Sequence, residues 1–304
     1  MSFLARIILK KGLIEKKQLN KVILQQIITG KRLGRILIEN KILEEEILGN
    51  ALADRYGIPN VPSSVYKTDI PPVYPELMNN FPIFPFKLSG KTLHTAFLDP
   101  SDRATTAKLT YKTGKIIKPY VIPEAVLLKI YEKNNITVPE KLFYPTELTE
   151  KIDSIPHAAE KLKTVKYPKE VRDILIGAAE LIIGSPLLFI LYNNRLELWG
   201  GRGLQINTKK SKLFSPVVDG GGFYIGKPQV GEDDKNIYNY LGKQKTPSTI
   251  YLFPIVLKNR TVNILYGERK RGREKGVGEL INLTQQVPVV YEKLLKEKWK
   301  KIKK

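Results

Sequence analysis

Near the N-terminus stand residues whose types could do binding chemistry, the triplet Arg32-Leu33-Gly34 among them, with Gln26 before it and Arg55 after it. An arginine stacks its planar guanidinium on a base or grips a phosphate through a fork of donors, which lysine cannot reproduce. A Leu-Gly pair directly after it supplies apolar contact and lets backbone amides approach closely at a helix start, where anions are favoured. A glutamine side chain can pair with the edge of a base. Such a set binds; it does not by itself turn over a substrate.

Catalytic constellations are scarce elsewhere. His94 falls in an expected strand and His157 in an expected linker, with no serine or acid set to act with either. Cysteine is absent, which removes thiol catalysis, disulfides and cysteine metal sites, and two histidines alone make no convincing zinc site. The acid runs Asp233-Asp234 and Glu44-Glu45-Glu46 read as exposed faces with nothing beside them to shift a pKa. Gly90-Lys91-Thr92 imitates the end of a phosphate loop, but Pro85 stands where the first glycine is required, and proline has no amide to offer a phosphate. The triplet also falls between two expected strands, so it reads as a hairpin turn. No enzyme activity is expected, and no cofactor.

The binding residues must be positioned by the first 57 residues, which contain one helical unit written twice. Shifted by 29 positions, Leu4, Ala5, Ile8 and Leu9 land on Leu33, Gly34, Leu37 and Ile38. Ile14, Leu19 and Ile23 land on Leu43, Leu48 and Leu52, and Arg6, Ile7 and Glu15 land on Arg35, Ile36 and Glu44. Apolar spacing of this kind, broken once at Gly12 or Lys41, predicts a helix, a turn and a second helix in each copy.

This stretch resembles the N-terminal domain of type II secretion and type IV pilus assembly ATPases, the MshE N-terminal family that binds cyclic di-GMP. The second copy opens with Arg32-Leu33-Gly34 and closes at Arg55; the first runs from Phe3-Leu4-Ala5 to Gln26, with a spacer from Ile27 to Lys31. The resemblance implies a cyclic di-GMP site made by Arg32, Leu33, Gly34, Gln26, Leu4, Leu37 and Arg55. It also implies a second subdomain over 58–136 with an Asp-Pro-x-Asp turn, matched by Asp99 to Asp102, so that Asp99 is a candidate for an acidic contact to guanine; the other reading of that turn is a helix cap. Against the pattern, Phe3 and Ala5 replace the first Arg and Gly, Lys41 replaces a Gly, and Arg55 replaces the second closing Gln. Two readings stay open: the site still takes the dinucleotide, or the helices keep their packing and dock a protein instead.

Beyond the repeat, residues 58–136 read as a small α/β unit. A hairpin spans Ile83 to Leu98, a helix follows from about Asp102 to Lys112, a strand covers Ile116 to Val121, and a last helix starts at Pro123. Residues 137–165 read as a linker interrupted by Pro139, Pro145 and Pro156. Residues 166–304 then run helix, strands, long loop, strands, helix. Hairpins are expected across Asn193-Asn194 and Lys258-Asn259, a long loop from Gln205 to Leu241 holding Asp219 and Gly220 to Gly222, and a final helix containing Pro288. This order resembles a GAF domain, in which an antiparallel sheet packs between first and last helices. The fold class expected is α+β: a tandem helical repeat with a small α/β subdomain, then a GAF-like antiparallel sheet with flanking helices.

A chain of 304 residues with 42% hydrophobic residues builds more than one core. Its net charge of +21 attracts anions in general, but the lysines are scattered, with a dense run only from Lys296 to Lys304, and no named nucleic-acid motif accompanies them. A charge-driven nucleic-acid or membrane-surface binder is therefore the third alternative, and nucleic acid is not the expected partner. With no transmembrane run and no leader apparent, the expected setting is cytoplasmic. The function expected is that of a non-enzymatic adaptor, without the motor of the ATPases, that senses cyclic di-GMP and acts on protein components of pilus or secretion machinery.

Overall fold

The computed structural model describes residues 3–67, 70–138, 151–201, 203–218, 222–270 and 275–303. The chain divides into two compact units: Met1–Gln26, Lys31–Thr146 and Lys298–Lys304 form the first, and Ile27–Gly30 with Glu147–Glu297 the second.

The first unit starts with four helices, α1 (Phe3–Lys10), α2 (Lys16–Thr29), α3 (Leu33–Glu39) and α4 (Glu45–Tyr56). The breaks between α1 and α2 and between α3 and α4 are left-handed turns at Gly12 (φ 64) and Lys41 (φ 54). The two positions are related by the same 29-residue shift as the apolar residues. Glycine accepts that conformation without a steric penalty; a lysine does not. Lys41→Gly is therefore expected to stabilise the protein by about 0.5–1 kcal/mol, the relief of Cβ strain less the added freedom of the unfolded chain. A thermal melt that stays put or falls would contradict this. Inside the four helices, Ile8, Leu19, Ile27, Ile36, Leu37 and Leu48 are completely buried.

Short helices α5 (Ser63–Lys67) and α6 (Pro75–Met78) lead to a three-stranded sheet of β1 (Ile83–Ser89), β2 (Thr92–Phe97) and β3 (Ile116–Val121) in the order β1-β2-β3. The β1–β2 pair is antiparallel and closes through Gly90 at φ 59, so Gly90-Lys91-Thr92 is a hairpin turn. The β2–β3 pair is parallel, which requires a crossover, here α7 (Arg103–Thr113). One face of the sheet packs Phe84, Phe86 and Ala96 against Val126, Leu127 and Tyr131 of α8 (Glu124–Lys133). The other packs Ile83, Leu93, Phe97 and Ile117 against Leu109 of α7.

The stretch expected to be a linker contains α9 (Ile155–Thr164), while residues 139–150, with Pro139 and Pro145, lie outside the described part. Ser154 caps α9 by accepting from the His157 amide, Pro156 sits in its first turn where no amide is needed, and Ala158 and Leu162 bury one side against α10 (Pro168–Ile182). Two apolar positions four residues apart among lysines suffice once a neighbouring helix covers them.

The second unit is built on a six-stranded antiparallel sheet of β4 (Gly184–Tyr192), β5 (Arg195–Leu198), β6 (Gln205–Asn207), β7 (Tyr224–Gly226), β8 (Ile250–Leu257) and β9 (Arg260–Glu268). Its order is β6-β5-β4-β9-β8-β7. Both hairpins close on two left-handed residues, Asn193-Asn194 and Lys258-Asn259, the geometry that matches the twist of paired strands. The segment expected to be a long loop carries β6, β7 and the short helices α11 (Ser215–Val218) and α12 (Lys235–Tyr240); Asp219, Gly220 and Gly221 lie outside the described residues. The last helix, α13 (Val277–Lys303), continues through Pro288. Its Tyr291 donates to Asn263 Oδ1 (2.9 Å), and Asn263 Nδ2 donates to the carbonyls of Phe189 (3.2 Å) and Ile28 (3.4 Å).

Asp234 is not an exposed acid. It is fully buried, and its Oδ2 accepts from the amides of Lys212 (2.9 Å), Leu213 (3.0 Å) and Gly231 (2.6 Å) while Oδ1 accepts from Ser211 Oγ. Its neighbour Asp233 accepts from the Asn207 amide.

Candidate functional site

Arg32 is the N-cap of α3, so its backbone is extended (φ −68, ψ 145) and its side chain leaves the helix at the first turn. The guanidinium Nε lies 3.3 Å from Oε2 of Glu124, the first residue of α8, and Arg35 Nη1 lies 3.5 Å from Glu124 Oε1. Glu124 is buried, its side chain only 3% exposed, while Arg32 remains 43% exposed. A helix start favours that carboxylate, and two arginines compensate the desolvation it suffers. Arg35 also binds Glu39, one turn ahead, at 2.6 Å. Burial pushes the Glu39 carboxyl up, but Arg35 and Lys31 outweigh it, so the group lies below the usual carboxylate range.

Arg55, in the last turn of α4, holds its guanidinium carbon 4.8 Å from the centre of the Tyr56 ring. Tyr56 carries no functional signal in the sequence, yet three charged groups act on it. Burial pushes its hydroxyl above the ordinary tyrosine value, Arg55 pulls it down, Asp99 pushes it up and Arg32 pulls it down. Arg32, Arg55 and Asp99, drawn from the start of α3, the end of α4 and the turn before α7, thus all act on the Tyr56 phenol, and of the three Arg55 lies over its ring.

Within that turn the two acids do different work. Asp102 caps α7, accepting from the Thr105 amide at 3.0 Å and from Thr105 Oγ1 at 2.7 Å, and these bonds pull its pKa down. Asp99 Oδ1 accepts from the Ser101 amide at 3.1 Å and from Ser101 Oγ.

The remaining sequence candidates lie in the packing. Leu4, Leu33 and Leu37 are buried. Gly34 lies against Leu48: a Cβ there would stand 3.0 Å from Leu48 Cδ2 and 3.8 Å from Leu4 Cδ2, so the glycine permits close helix contact. Gln26 is buried too, and its Oε1 accepts at 2.9 Å from Lys298 Nζ. The spacing of α13 contained the signal for that lysine, because Leu294, Lys298 and Ile302 follow one another at intervals of four.

The same unit holds a cleft of about 890 Å³ lined by Ile38, Ile42, Ile47, Leu128, Lys129 and Glu132 among others. In the second unit a smaller cleft of about 420 Å³ lies between α10 and the sheet, with Arg172, Trp199 and Tyr240 in its wall. His94 stacks on Tyr120 with its Nδ1 3.0 Å from the hydroxyl, and His157 Nδ1 lies 2.9 Å from Asp153. Among the described residues no group of three His, Cys, Asp or Glu is placed to hold a metal, and no helix is long and apolar enough to cross a membrane.

No protein-family model matches the chain. It is 27% identical over 177 residues to the type IV pilus assembly ATPase PilB of Myxococcus xanthus, covering 54% of this chain and 31% of that protein. It is 25% identical over 143 residues to PilB of Thermus thermophilus, covering 43% of this chain and 16% of that one. The N-terminal region of the chain is homologous to PilB. The matched region is not the motor domain of those ATPases, and the chain spans less than a third of either relative. Among solved structures, that of MshE with cdg aligns at 25% identity and a TM-score of 0.33, over 43% of this chain and 97% of that one. The N-terminal domain of XpsE aligns at 16% identity and 0.25, over 41% and 89%. The PilB-related region is thus the one that carries Arg32, Arg55 and Asp99.

Proposed function

We propose that the chain is a non-enzymatic, cytoplasmic regulator that senses cyclic di-GMP through its PilB-related region and passes the signal to pilus, secretion or motility machinery. The observation that carries this reading is the Arg55 guanidinium held over the Tyr56 ring, with Arg32 and Asp99 among the charges that act on the same phenol. Two guanidinium groups suit the phosphates and flat bases of a cyclic dinucleotide, and a carboxylate suits the donor edge of guanine. We read the first four helices as a tandem repeat and the second unit as a GAF-like module. The region related to a pilus ATPase supplies the setting; the motor activity of that ATPase is not transferred.

The test is calorimetric titration of cyclic di-GMP into the full chain. Binding near micromolar affinity, about −8 kcal/mol, that weakens at least tenfold in Arg32→Ala is the expected result. Arg35 still faces Glu124 in that variant, and a thermal melt checks that it stays folded. No binding up to about millimolar ligand by the folded, unsubstituted chain would end the reading.

A second reading, docking of a protein without nucleotide, is favoured by the cleft lined by Ile38, Ile42 and Ile47, of which Ile47 is 39% exposed. The buried Glu124 supports it as well, since a counter-ion for that acid is reason enough for Arg32 to be present. Retention of a pilus or secretion component by the immobilised chain, with or without cyclic di-GMP and lost in Ile47→Asp, would favour docking.

A further inference from the structure

Arg55 stands where the pattern of the N-terminal domain closes on a glutamine, a residue that reads a base by hydrogen bonds along its edge. The guanidinium of Arg55 instead lies over an aromatic ring, 4.8 Å from its centre, and Arg55 is exposed where Tyr56 is half-buried. A guanidinium backed by a ring is held as a plane by cation–π attraction, with less side-chain freedom left to lose when a ligand arrives. Planar guanidinium groups stack on nucleobases.

The equivalent position in the first copy offers nothing similar. Gln26 is buried and hydrogen-bonded to Lys298, so no flat exposed surface is present there. The charges around Tyr56 complete the contrast. Arg32 is near enough to act on the phenol, and so is Asp99, whose described hydrogen bonds use Oδ1 alone. A carboxylate carries acceptor sites on both oxygens, so Oδ2 keeps capacity for the N–H edge of a guanine.

We propose that Arg55, carried on the ring of Tyr56, is the stacking face for one guanine of the dinucleotide, so that the departure from glutamine replaces edge recognition by face recognition. The proposal rests on the cyclic di-GMP reading given above. It makes the site one-sided: a single platform at the end of α4, with Arg32 beside it for the phosphates and Asp99 for the base edge.

The experiment is calorimetric titration of cyclic di-GMP into the full chain and its Arg55→Ala, Arg55→Gln, Tyr56→Phe, Tyr56→Leu and Arg32→Ala variants, each checked for folding by thermal melt. Arg55→Ala and Arg55→Gln are expected to weaken binding at least tenfold. Tyr56→Phe keeps the ring and should bind within about twofold of the parent, whereas Tyr56→Leu should lose several-fold. Should Arg32→Ala weaken binding while Arg55→Ala and Arg55→Gln match the parent, the platform is wrong and the dinucleotide reading stands. Equal or tighter binding by Arg55→Gln alone also overturns the platform, because it restores edge recognition. If the unsubstituted chain binds no cyclic di-GMP, both fall together.

Discussion

Lys298→Met is expected to flatten the rise of stability with pH between about pH 7 and 10. The Lys298 amine is largely buried, and burial pulls its pKa down to about 7 from the ordinary 10.5. In the unfolded chain the same amine titrates near its ordinary value. Through that window the unfolded chain holds a proton that the folded chain has given up, so stability increases with pH; below about pH 7 both states are protonated and no further change follows. The full span corresponds to roughly 3–5 kcal/mol. Methionine has a similar length and no charge, so the variant loses the slope and gains stability at neutral pH, less about 1 kcal/mol for the hydrogen bond to Gln26 Oε1. Urea unfolding of both proteins at pH 7 and pH 9.5 measures this, and two parallel pH dependences would refute it. Trp299, beside the substituted residue, belongs to the first unit and gives a local fluorescence signal.

Asp234→Ala is expected to cost about 4 kcal/mol in the second unit. The carboxylate gathers three backbone amides from two separate stretches, 212–213 and 231, and the Ser211 hydroxyl. Alanine leaves these donors in a site from which water is excluded, and each unsatisfied buried donor costs about 1–3 kcal/mol. Partial relaxation of the loop keeps the total below their sum. Asp234→Asn should fall between the two, since an amide keeps one acceptor oxygen but turns its own N–H donors toward the others. Urea unfolding followed at Trp199 reads the second unit; a loss under about 1 kcal/mol would show that the loop re-forms its bonds with water.

These two residues also show where the sequence was silent. Lys298 sits in a lysine-rich tail, which reads as a solvated face, and only the interval of four from Leu294 to Ile302 placed it on a packed side. Asp234 looks like half of an acidic pair, and its burial depends on amides some twenty residues earlier, which no local pattern encodes. The helix at 155–164 is faint in the sequence for a related reason: its apolar stripe is two residues wide, and only contact with α10 makes it worth forming.

What the sequence did convey was local. The hairpins follow from left-handed residue pairs, the helix boundaries from caps and glycines, and the four N-terminal helices from apolar spacing. The candidate binding residues divide along the same line. Leu4, Leu33, Gly34 and Leu37 follow the spacing of the repeat, and such spacing mostly reports packing, which is where they lie. The grouping of Arg32, Arg55 and Asp99 is tertiary, and Tyr56 had no signal beyond following an arginine at a helix end.

The outer strands of the second unit, β6 and β7, are three residues each, and they flank strands of up to nine. An antiparallel sheet that ends in such stubs offers a second molecule too few unpaired amides and carbonyls to extend it. Extension of this sheet beyond β6 or β7 is thereby discouraged even at high concentration. At those two ends, contacts with another molecule fall to side chains, which can be selective, rather than to backbone pairing, which accepts almost any sequence.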